Sequence, residues 1–473
     1  MRMADLGHAR VAVWGYGREG RAALAVLRRR FPQKALTLFC SDEEAQSFAR
    51  HPSEGWDPAL RHPRQELDSG FRRNDELCVI TPPPSVDVLK RFDIVIKSPG
   101  ISPYKSPVPD AMAAGVKFTS GTALWFAENP TARVIGVTGT KGKSTTSAMI
   151  AHLARGLDVR TALAGNIGMP LLDLLGQEAA LWVVELSSFQ TGDAGPLDVG
   201  VITNLYEEHL DWHGTRERYA ADKLKIVDVA RTLVVNAEQP ELLARTAPHT
   251  HRATFGDAAG WHIRDGAIWR GNEPVLPLVQ IPLSGEHNAS NVCAALAAIE
   301  CAGLDSFAAA RYVASFIPLP HRLQSLGMRD GIEYINDSIS TTPYATVEAL
   351  RSLDGRAVSV IVGGFDRGVD WSGFVEYVAA HPPHTIIATG ANGARIAESL
   401  GGVRGFELTQ AATMAEAVSR ARAQAPAGSV ILLSPGAPSF DQFRDYAERG
   451  REFVRLAGFD PAAMAQIEGL GIA

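Results

Sequence analysis

The sequence of 473 residues has few cysteines, no strong excess of charge and no long apolar run. Its four cysteines, Cys40, Cys78, Cys293 and Cys301, show no C-x-x-C spacing, so they indicate neither a zinc site nor a disulfide framework and fit a reducing compartment. The net charge of −6 includes no basic block, which argues against nucleic acid as a partner. No stretch approaches ~18 apolar residues, and Met1–Arg10 has no apolar signal region. We therefore expect a cytoplasmic protein without membrane insertion.

The composition that is present is typical of a globular chain with sizeable cores, since 46% of the residues are hydrophobic and 21% are charged. At ~150 residues a domain, the length suggests about three domains. Apolar strands alternate with glycine- or serine-rich turns and helical segments, a pattern that predicts an α/β protein built on doubly wound sheets. Residues 51–76 are rich in charge and proline with little periodicity, which favours an exposed insertion.

The segment from Val134 to Thr146 predicts a site for nucleotide phosphates. Apolar and small residues lead into a glycine-rich turn, and a helix is expected to begin near Ser144. Backbone N–H groups at such a turn face an anion, Lys143 reaches the β- and γ-phosphates, and Ser144 offers its hydroxyl to Mg²⁺. The strict pattern G-x-x-x-x-G-K-[ST] is not met, because its first glycine falls on Val137. A simple tight turn is the alternative, but it leaves Lys143 unexplained.

An earlier glycine turn, Gly15–Gly20, follows a predicted strand at Val11–Trp14 and precedes a helix predicted to run through Arg30. With a second strand ending before Asp42, this is a βαβ opening with a G-x-G-x-x-G turn. An acid near that position contacts the ribose in NAD-binding folds. The same turn can hold any diphosphate, and Asp42 can be a solvated residue after a strand. The sequence alone leaves these alternatives open.

Three further groups in the central region are candidates for chemistry. Glu185 ends a predicted parallel strand near the phosphate turn, which suits a Mg²⁺ ligand. Residues 207–213 contain two histidines and three carboxylates, although their spacing matches no zinc signature. Lys223 and Lys225 fall in a helical run whose simplest interpretation is a solvated basic face.

Together these motifs resemble the Mur ligase family, ATP-dependent amino-acid ligases of peptidoglycan precursor synthesis. The resemblance spans nearly the whole chain in order, and within the family it is greatest to the glutamate-adding enzymes, through the one-lobed N-terminal domain and the segment 441–443. The motifs that carry it are Ser98-Pro99-Gly100-Ile101, Thr138-Gly139-Thr140-Lys141-Gly142-Lys143-Ser144, Gly165-Asn166-Ile167-Gly168, Glu185-Leu186-Ser187-Ser188-Phe189-Gln190, Glu208-His209-Leu210-Asp211, Gly285-Glu286-His287-Asn288, Leu319-Pro320-His321-Arg322 and Asn336-Asp337-Ser338.

The resemblance implies three domains: a Rossmann-like UDP-binding domain at 1–128, a central P-loop ATPase domain at 129–318, and a Rossmann-like amino-acid-binding domain at 319–473. It implies that a substrate carboxylate attacks the γ-phosphate of ATP to form an acyl phosphate, which the amine of the amino acid then displaces. The Gly15–Gly20 turn would then face a UDP diphosphate rather than NAD. The expected cofactors are ATP and Mg²⁺, and the expected substrates are UDP-N-acetylmuramoyl-L-alanine and glutamate.

The resemblance also implies roles for individual residues. Lys143, His209 and a carbamylated Lys223 are the expected catalytic residues. One Mg²⁺ would be held by Ser144 and Glu185, and a second by His209 and Lys223. The expected nucleotide-binding residues are Gly139, Thr140, Lys141, Gly142, Lys143, Ser144, Thr145, Asn288, Asn291, Arg322 and Asp337. The expected substrate-binding residues are Gly15, Tyr16, Gly17, Asn166, Thr341, Arg367, Ser439, Phe440 and Tyr446.

Departures from the family pattern concentrate at the amino-acid pocket. D-glutamate-adding enzymes usually carry lysines where this chain has Ile339 and Arg367, their Ser-Pro-Ala-Cys-Ala-Ser loop is changed at residues 434–439, and Lys141 stands where asparagine is usual. The sequence instead is similar to the subgroup that adds L-glutamate, whose product goes to a separate epimerase. We expect a monomer. The alternatives are the D-glutamate-adding ligase, a folylpolyglutamate-type ligase, which would not need the UDP-type domain, and a non-enzymatic nucleotide switch, which would not need Lys223.

Overall fold

The structure is a computed structural model that describes residues 1–42, 44–45, 77–206, 210–283, 285–462 and 470–473. It is an α/β chain with three sheets, so the predicted fold class is confirmed. Two compact units are present. Unit 1 contains residues 1–281, 287–316 and 469–473, and unit 2 contains residues 282–286 and 317–468. The insertion expected at 51–76 lies outside the described residues.

The first sheet has five parallel strands in the order β3-β2-β1-β4-β5. They are β1 (Val11–Trp14), β2 (Leu36–Phe39), β3 (Leu77–Ile80), β4 (Ile94–Lys97) and β5 (Lys117–Thr119). The helices of this region are α1 (Arg18–Arg30), α2 (Val86–Leu89), α3 (Val108–Ala113) and α4 (Gly121–Glu128), with a 3₁₀ turn at Met3–Leu6. Strand β1 has the predicted bounds, and helix α1 has the predicted end at Arg30, because apolar and amphipathic runs are strong local signals. The helix begins earlier than predicted, at Arg18 within the glycine turn, since Gly17 is its N-cap.

The second sheet has ten strands around a parallel centre that holds the phosphate turn. Its strands are β6 (Val134–Thr138), β7 (Thr161–Gly165), β8 (Leu181–Glu185), β9 (Leu197–Ile202), β10 (Ala230–Asn236), β11 (Arg252–Phe255), β12 (Trp261–Arg264), β13 (Ala267–Arg270), β14 (Glu273–Pro277) and the last pair, Gly471–Ile472. The order is β14-β13-β12-β11-β10-β9-β6-β8-β7 followed by Gly471–Ile472, with antiparallel pairing only at the two edges.

The helices beside this sheet are α5 (Lys143–Gly156), α6 (Leu210–His213), α7 (Arg216–Leu224), α8 (Ile226–Val229), α9 (Pro240–Thr246), α10 (Glu286–Cys301) and α11 (Ser306–Ala310). Short 3₁₀ turns lie at Leu171–Leu174, Thr191–Asp193, Leu278–Gln280 and Val313–Ser315. One apolar cluster runs from the first sheet to the second, and within it the rings of Trp125 and Trp182 lie 4.6 Å apart. A shared core of this kind explains why both sheets belong to one compact unit.

Unit 2 contains the third sheet, with the order β15-β16-β20-β17-β18-β19. Its strands are β15 (Gln324–Arg329), β16 (Ile332–Asn336), β17 (Val358–Val362), β18 (Thr385–Thr389), β19 (Glu407–Ala411) and β20 (Val430–Leu433), so Gly471–Ile472 is β21. Only β15 is antiparallel to its neighbour. The helices are α12 (Pro343–Arg351), α13 (Ser372–Ala380), α14 (Gly393–Ser399), α15 (Met414–Gln424) and α16 (Tyr446–Ala457).

The three-domain division at residues 128 and 318 stays a prediction. The sheets follow the expected order along the chain, with one exception at its end. Strand β21 pairs antiparallel with β7, Gly471 opposite Leu163, so the final residues belong to the second sheet and not to the third.

Candidate functional site

The phosphate turn joins β6 to α5 as the sequence predicts, and two of its glycines are required by close neighbours. Gly139 has a φ of +148° and Gly142 a φ of +81°. A Cβ on Gly139 would lie 1.9 Å from Thr203 Oγ1, and one on Gly142 would lie 2.2 Å from Asn291 Oδ1. No side chain fits at either position, so both glycines are needed for Thr203 and Asn291 to pack against the turn.

Two residues that the sequence interpretation missed hold this turn in place. Asn204 Oδ1 accepts from the backbone N–H groups of Thr140 and Lys141 at 3.0 and 2.7 Å, and Asn204 Nδ2 donates to Lys141 O at 3.0 Å. Thr203 Oγ1 donates to the same carbonyl at 2.6 Å. The N–H groups of Thr140 and Lys141 therefore face Asn204. Both residues follow β9, the parallel neighbour of β6, and that position was the signal that could have identified them.

Helix α10 brings the two expected asparagines to the turn. Asn291 Oδ1 accepts from Thr146 Oγ1 at 3.3 Å, and Asn291 Nδ2 donates to Asn288 Oδ1 at 3.2 Å. Both asparagines are buried. The fold thus brings Thr146 and Asn291, which are 145 positions apart in sequence, together beside the phosphate turn.

Lys143 is half-buried at the first position of α5, and its Nζ donates to Thr140 O at 2.9 Å. Ser144 follows in the first turn of the helix and is buried. A helix N-terminus with a lysine and a hydroxyl residue in its first turn is suited to binding phosphate and a divalent cation.

Glu185 is fully buried at the end of β8, beside Val137 of β6. Its Oε1 accepts from Asn166 Nδ2 at 2.8 Å. Its Oε2 is buried without a hydrogen-bond partner among the described residues. An unsatisfied buried carboxylate oxygen is costly unless a cation or proton binds it. This donor set, next to a phosphate turn, fits Mg²⁺.

Lys223 lies on α7 with only 1% of its surface exposed, so the interpretation of a solvated basic face is wrong for this residue. Its Nζ donates to Gly139 O at 2.8 Å and lies 4.8 Å from the centre of the Tyr219 ring. The amine is therefore held against the phosphate turn. His209, the second expected ligand at this point, lies outside the described residues.

A buried network surrounds the residue before Lys223. Asp222 accepts from Tyr104 OH and Lys225 Nζ, both at 2.6 Å, and its Oδ2 lies 2.8 Å from His213 Nδ1. His213 Nε2 lies 3.0 Å from Ser188 Oγ. Burial raises the pKa of Asp222, but the bonds from Lys225, Tyr104 and His213 outweigh it, and the net pKa is lowered.

This network corrects two expectations from the sequence. Lys225 is about half exposed but pairs with Asp222, so it is more than a solvated face. His213 is fully buried and hydrogen-bonded through both ring nitrogens, so it is not available as a metal ligand. Within the described ranges, no group of three or more histidine, cysteine, aspartate or glutamate side chains could hold a metal by itself.

The Gly15–Gly20 turn of the first sheet is held by Glu44, an acid that the sequence interpretation did not single out. Asp42 is exposed, whereas Glu44 Oε1 accepts from Tyr16 N at 3.0 Å. Gly15 has a φ of +94°, and Ser98 Oγ donates to its carbonyl at 3.3 Å. The turn has the predicted form, and the contact with Glu44 occupies an N–H group of one expected substrate residue.

In unit 2, Asp337 is buried and accepts hydrogen bonds from other residues of the same unit. Its Oδ2 accepts from Ser340 Oγ and from Ser434 Oγ, the latter at 2.8 Å, and its Oδ1 accepts from Leu323 N at 3.1 Å. Burial raises its pKa to about 6, opposed by these bonds and by the charge of Arg322. The charge of Arg322 therefore acts on Asp337, and the expected role of both residues at the nucleotide stays a prediction.

Four residues expected at the amino-acid pocket, Thr341, Arg367, Ser439 and Phe440, lie on loops after β16, β17 and β20, and Tyr446 is the first residue of α16. The guanidinium of Arg367 lies 5.8 Å from the centre of the Phe440 ring, and both side chains are exposed. Tyr446 O accepts from Ser338 Oγ at 2.7 Å, Ser439 is buried, and Thr341 is half-buried. The structure thus brings Arg367 and Phe440 together.

Comparisons with known proteins agree with this arrangement. Residues 137–299 match the Mur ligase middle domain, and residues 321–436 match the Mur ligase glutamate ligase domain. A protein of Xanthomonas euvesicatoria pv. vesicatoria (strain 85-10) is 46% identical over 100% of both chains, and one of Salinispora tropica is 37% identical over 96% of this chain and 98% of its own. Both are named UDP-N-acetylmuramoyl-L-alanine–L-glutamate ligase.

Solved structures match the fold. A UDP-N-acetylmuramate-alanine ligase from Thermotoga maritima aligns with a TM-score of 0.59 at 19% identity, covering 95% of this chain and 99% of its own. A MurF ligase from Thermotoga maritima in complex with ADP aligns with a TM-score of 0.55 at 16% identity, covering 94% and 93%. No helix in the described part of the chain is both long and apolar enough to cross a membrane.

Proposed function

Because this chain belongs to the Mur ligase family, we propose that it is an ATP-dependent ligase that adds L-glutamate to UDP-N-acetylmuramoyl-L-alanine in peptidoglycan precursor synthesis. The observation that carries this proposal is the full-length identity of 46% to a relative with that name. Full coverage of both chains argues against the folylpolyglutamate-type alternative, and the buried Lys223 argues against a simple nucleotide switch.

In the proposed first half-reaction, the alanyl carboxylate of the muramoyl substrate attacks the γ-phosphorus of ATP. The bond to the β,γ-bridging oxygen breaks, and ADP leaves with that oxygen while an acyl phosphate forms. Lys143, which now donates to Thr140 O, would turn to the phosphates and neutralise charge on the transferred group. The glycines at 139 and 142 allow Thr203 and Asn291 to pack against the turn whose backbone would face the phosphates.

Magnesium fits the carboxylate and hydroxyl donors of this site. Ser144 and Glu185 would hold one ion, with the unpartnered Glu185 Oε2 as ligand. Lys223 would contribute to a second as a carbamate, because carbamylation replaces a buried cation with an anionic oxygen ligand. When bound, the metal supplies charge neutralisation at the phosphoryl oxygens. Asn166, which binds Glu185, would contact the muramoyl substrate beside it.

In the second half-reaction, the neutral amine of glutamate attacks the acyl carbon, and phosphate leaves from the tetrahedral intermediate. Arg367 would bind a glutamate carboxylate through its planar fork, and Thr341, Ser439, Phe440 and Tyr446 would line the pocket. Asn288, Asn291, Arg322 and Asp337 would surround the nucleotide, and the Gly15–Gly17 turn would bind the UDP group. We further propose a cytoplasmic monomer whose product is passed to a separate epimerase.

The test is phosphate release by the full chain with ATP, Mg²⁺, UDP-N-acetylmuramoyl-L-alanine and each glutamate enantiomer. We expect release that needs the muramoyl substrate and L-glutamate together, with ligated product found by mass spectrometry. Activity with a folate in place of the muramoyl substrate would contradict the proposal. Equal release without any amino acid would mean that the protein is only a nucleotide hydrolase.

A further inference from the structure

A buried arginine lies behind the loops of the amino-acid pocket. Arg449 belongs to α16, and only 2% of its surface is exposed. Its Nε donates to Ser338 Oγ at 3.1 Å and its Nη2 to Ser338 O at 2.9 Å, while its Nη1 donates to Ala437 O at 2.9 Å. One guanidinium thus binds the loop after β16 and the loop after β20.

A third loop packs against the same group. A Cβ on Gly364 would lie 3.0 Å from Arg449 Nη1 and 2.2 Å from Pro438 O, and the φ of Gly364 is +158°. Phe365 N donates to Pro438 O at 2.8 Å. The loop after β17 therefore lies directly on the arginine and on the loop that the arginine holds.

Burying the positive charge of Arg449 costs free energy, so its hydrogen bonds must contribute something that an apolar side chain in the same place would not. Burial lowers the pKa of Arg449 to about 10, and the charges of Asp441 and Asp337 oppose the shift. None of the ion pairs among the described residues includes Arg449; instead, backbone and hydroxyl oxygens accept hydrogen bonds from its Nε, Nη1 and Nη2. An apolar side chain could fill the same space at lower cost. A rigid fork, unlike a lysine, fixes the distance between the groups it binds.

Each of the three loops carries side chains of the proposed glutamate pocket. Ile339 and Thr341 follow Ser338, Ser439 and Phe440 follow Ala437, and Arg367 follows Gly364. We propose that Arg449 is a positioning residue that sets the relative placement of these three loops and thereby the selection of L-glutamate. The inference rests on the proposed function, because only that function makes the loops a glutamate pocket.

The first experiment compares Arg449→Lys with Arg455→Lys, since Arg455 is an exposed arginine of the same helix that pairs with Glu452. We expect Arg449→Lys to raise the KM for L-glutamate about tenfold or more and to lower the L-to-D preference about fivefold. The KM for UDP-N-acetylmuramoyl-L-alanine should change less than about twofold, because its expected contacts lie in unit 1. Arg455→Lys should change none of these values.

A purely structural role gives a different result. Loss of folded enzyme lowers kcat in proportion and leaves both KM values and the enantiomer preference unchanged. That outcome in Arg449→Lys would overturn the proposal. If the wild-type enzyme is inactive with both L-glutamate and D-glutamate, the proposed function is overturned instead. The two failures are therefore distinguishable.

The second experiment is chemical rescue of Arg449→Ala. Guanidinium chloride at non-denaturing concentration should lower the raised KM for L-glutamate, whereas urea, a planar neutral molecule of similar size, should not. Arg455→Ala should not respond to either. Absence of rescue, together with an unchanged enantiomer preference in Arg449→Lys, would contradict the proposal. Failure of both Arg449 variants to fold would assign this arginine to stability alone and would also overturn it.

Discussion

The side-chain amide of Asn166 donates to Oε1 of Glu185 at 2.8 Å, and the other oxygen of that carboxylate is buried without a partner among the described residues. One oxygen is thus fixed in direction by a neutral donor, while the second remains able to bind a cation. Hydrogen-bond partners that orient a metal-binding carboxylate in this way are a general feature of metal sites.

The first prediction concerns this pair. Glu185→Gln replaces the anionic oxygen with an amide, so we expect the Mg²⁺ concentration for half-maximal activity to rise about tenfold or more. Glu178, an exposed acid in the segment before β8, provides the control, and Glu178→Gln should leave the Mg²⁺ dependence unchanged. Titration of phosphate release with Mg²⁺ decides it, and superimposable curves for Glu185→Gln and wild type would exclude Glu185 as a ligand.

The second prediction concerns Lys143. Its removal deletes a positive charge that is proposed to neutralise the transferred phosphoryl group, and we expect Lys143→Ala to lower kcat by about a hundredfold to a thousandfold, which corresponds to about 3–4 kcal/mol of transition-state stabilisation. Lys117→Ala, at an exposed position of β5, should behave as wild type. Steady-state kinetics with circular dichroism checks this. A correctly folded Lys143→Ala enzyme with near-normal turnover would show that the phosphate turn has another role.

The third prediction separates two neighbouring lysines. Lys223 is buried against Gly139 O, whereas Lys225 is half exposed and pairs with Asp222. Lys223→Ala should be nearly inactive, with partial recovery in small carboxylates such as acetate that replace a carbamate oxygen. Lys225→Ala should lose on the order of 1–2 kcal/mol of stability, because its partner Asp222 is buried while Lys225 itself is about half exposed, and should keep most activity. Equal loss of activity in both variants, without recovery, would mean that Lys223 is not a carbamylated ligand.

The fourth prediction is a preference for L-glutamate over D-glutamate. The enantiomers carry the same groups, so the positions of the pocket charges must decide between them. Ile339 stands where D-glutamate-adding enzymes usually carry a lysine, so the pocket lacks that positive charge. Arg367 has a planar guanidinium that can bind a carboxylate through two parallel hydrogen bonds. Arg367→Ala should raise the KM for L-glutamate about tenfold, and Arg404→Ala, at an exposed arginine elsewhere in unit 2, should not. A tenfold higher kcat/KM for D-glutamate in the wild type would mean that the changes around Ile339 and Arg367 are neutral drift.

The fifth prediction follows from the pKa of Asp337, which burial raises from 3.8 to about 6. A raised carboxyl pKa gives stability that is fully present below pH 3.8 and is lost as the pH rises through about 6. Asp337→Asn removes this pH dependence. The free energy of unfolding of the variant relative to wild type should therefore increase between about pH 4 and 7, by on the order of 3 kcal/mol. Thermal midpoints across that range test it. Asp370→Asn is the control, because the exposed Asp370 has a pKa shifted downwards. Parallel wild-type and Asp337→Asn curves would contradict the prediction.

Local patterns predicted much of the fold. Strand β1 has its predicted bounds, strand β8 ends at Glu185 as predicted and helix α1 ends at Arg30 as predicted, because continuous apolar runs and amphipathic runs are strong local signals. The pairing of β21 with β7 could not be predicted, since two residues carry no periodicity and their partner is about 300 positions away.

The candidate site also contains some features that the sequence predicted and others that only the folded structure reveals. Motifs predicted the phosphate turn, and a resemblance predicted Asn288 and Asn291, which the structure brings to it. Asn204, Glu44 and Arg449 were missed, because each acts through a contact that only folding creates. Lys223 shows the limit most clearly. A lysine on a helix has a solvated face as its usual environment, and only the packing of α7 against Gly139 reveals that this one is buried.

The pairing of β21 also bears on how this chain can be recombined with its relatives. Gly471 and Ile472 add a strand to the edge of β7, and Thr161 N donates to Ala473 O at 2.8 Å. A chimera that exchanges everything after residue 318 for the corresponding part of another ligase therefore also exchanges the edge strand of the second sheet. Grafts of the region that carries the third sheet need to retain the recipient's own last four residues, or an effect on the second sheet will be mistaken for an effect of the grafted region.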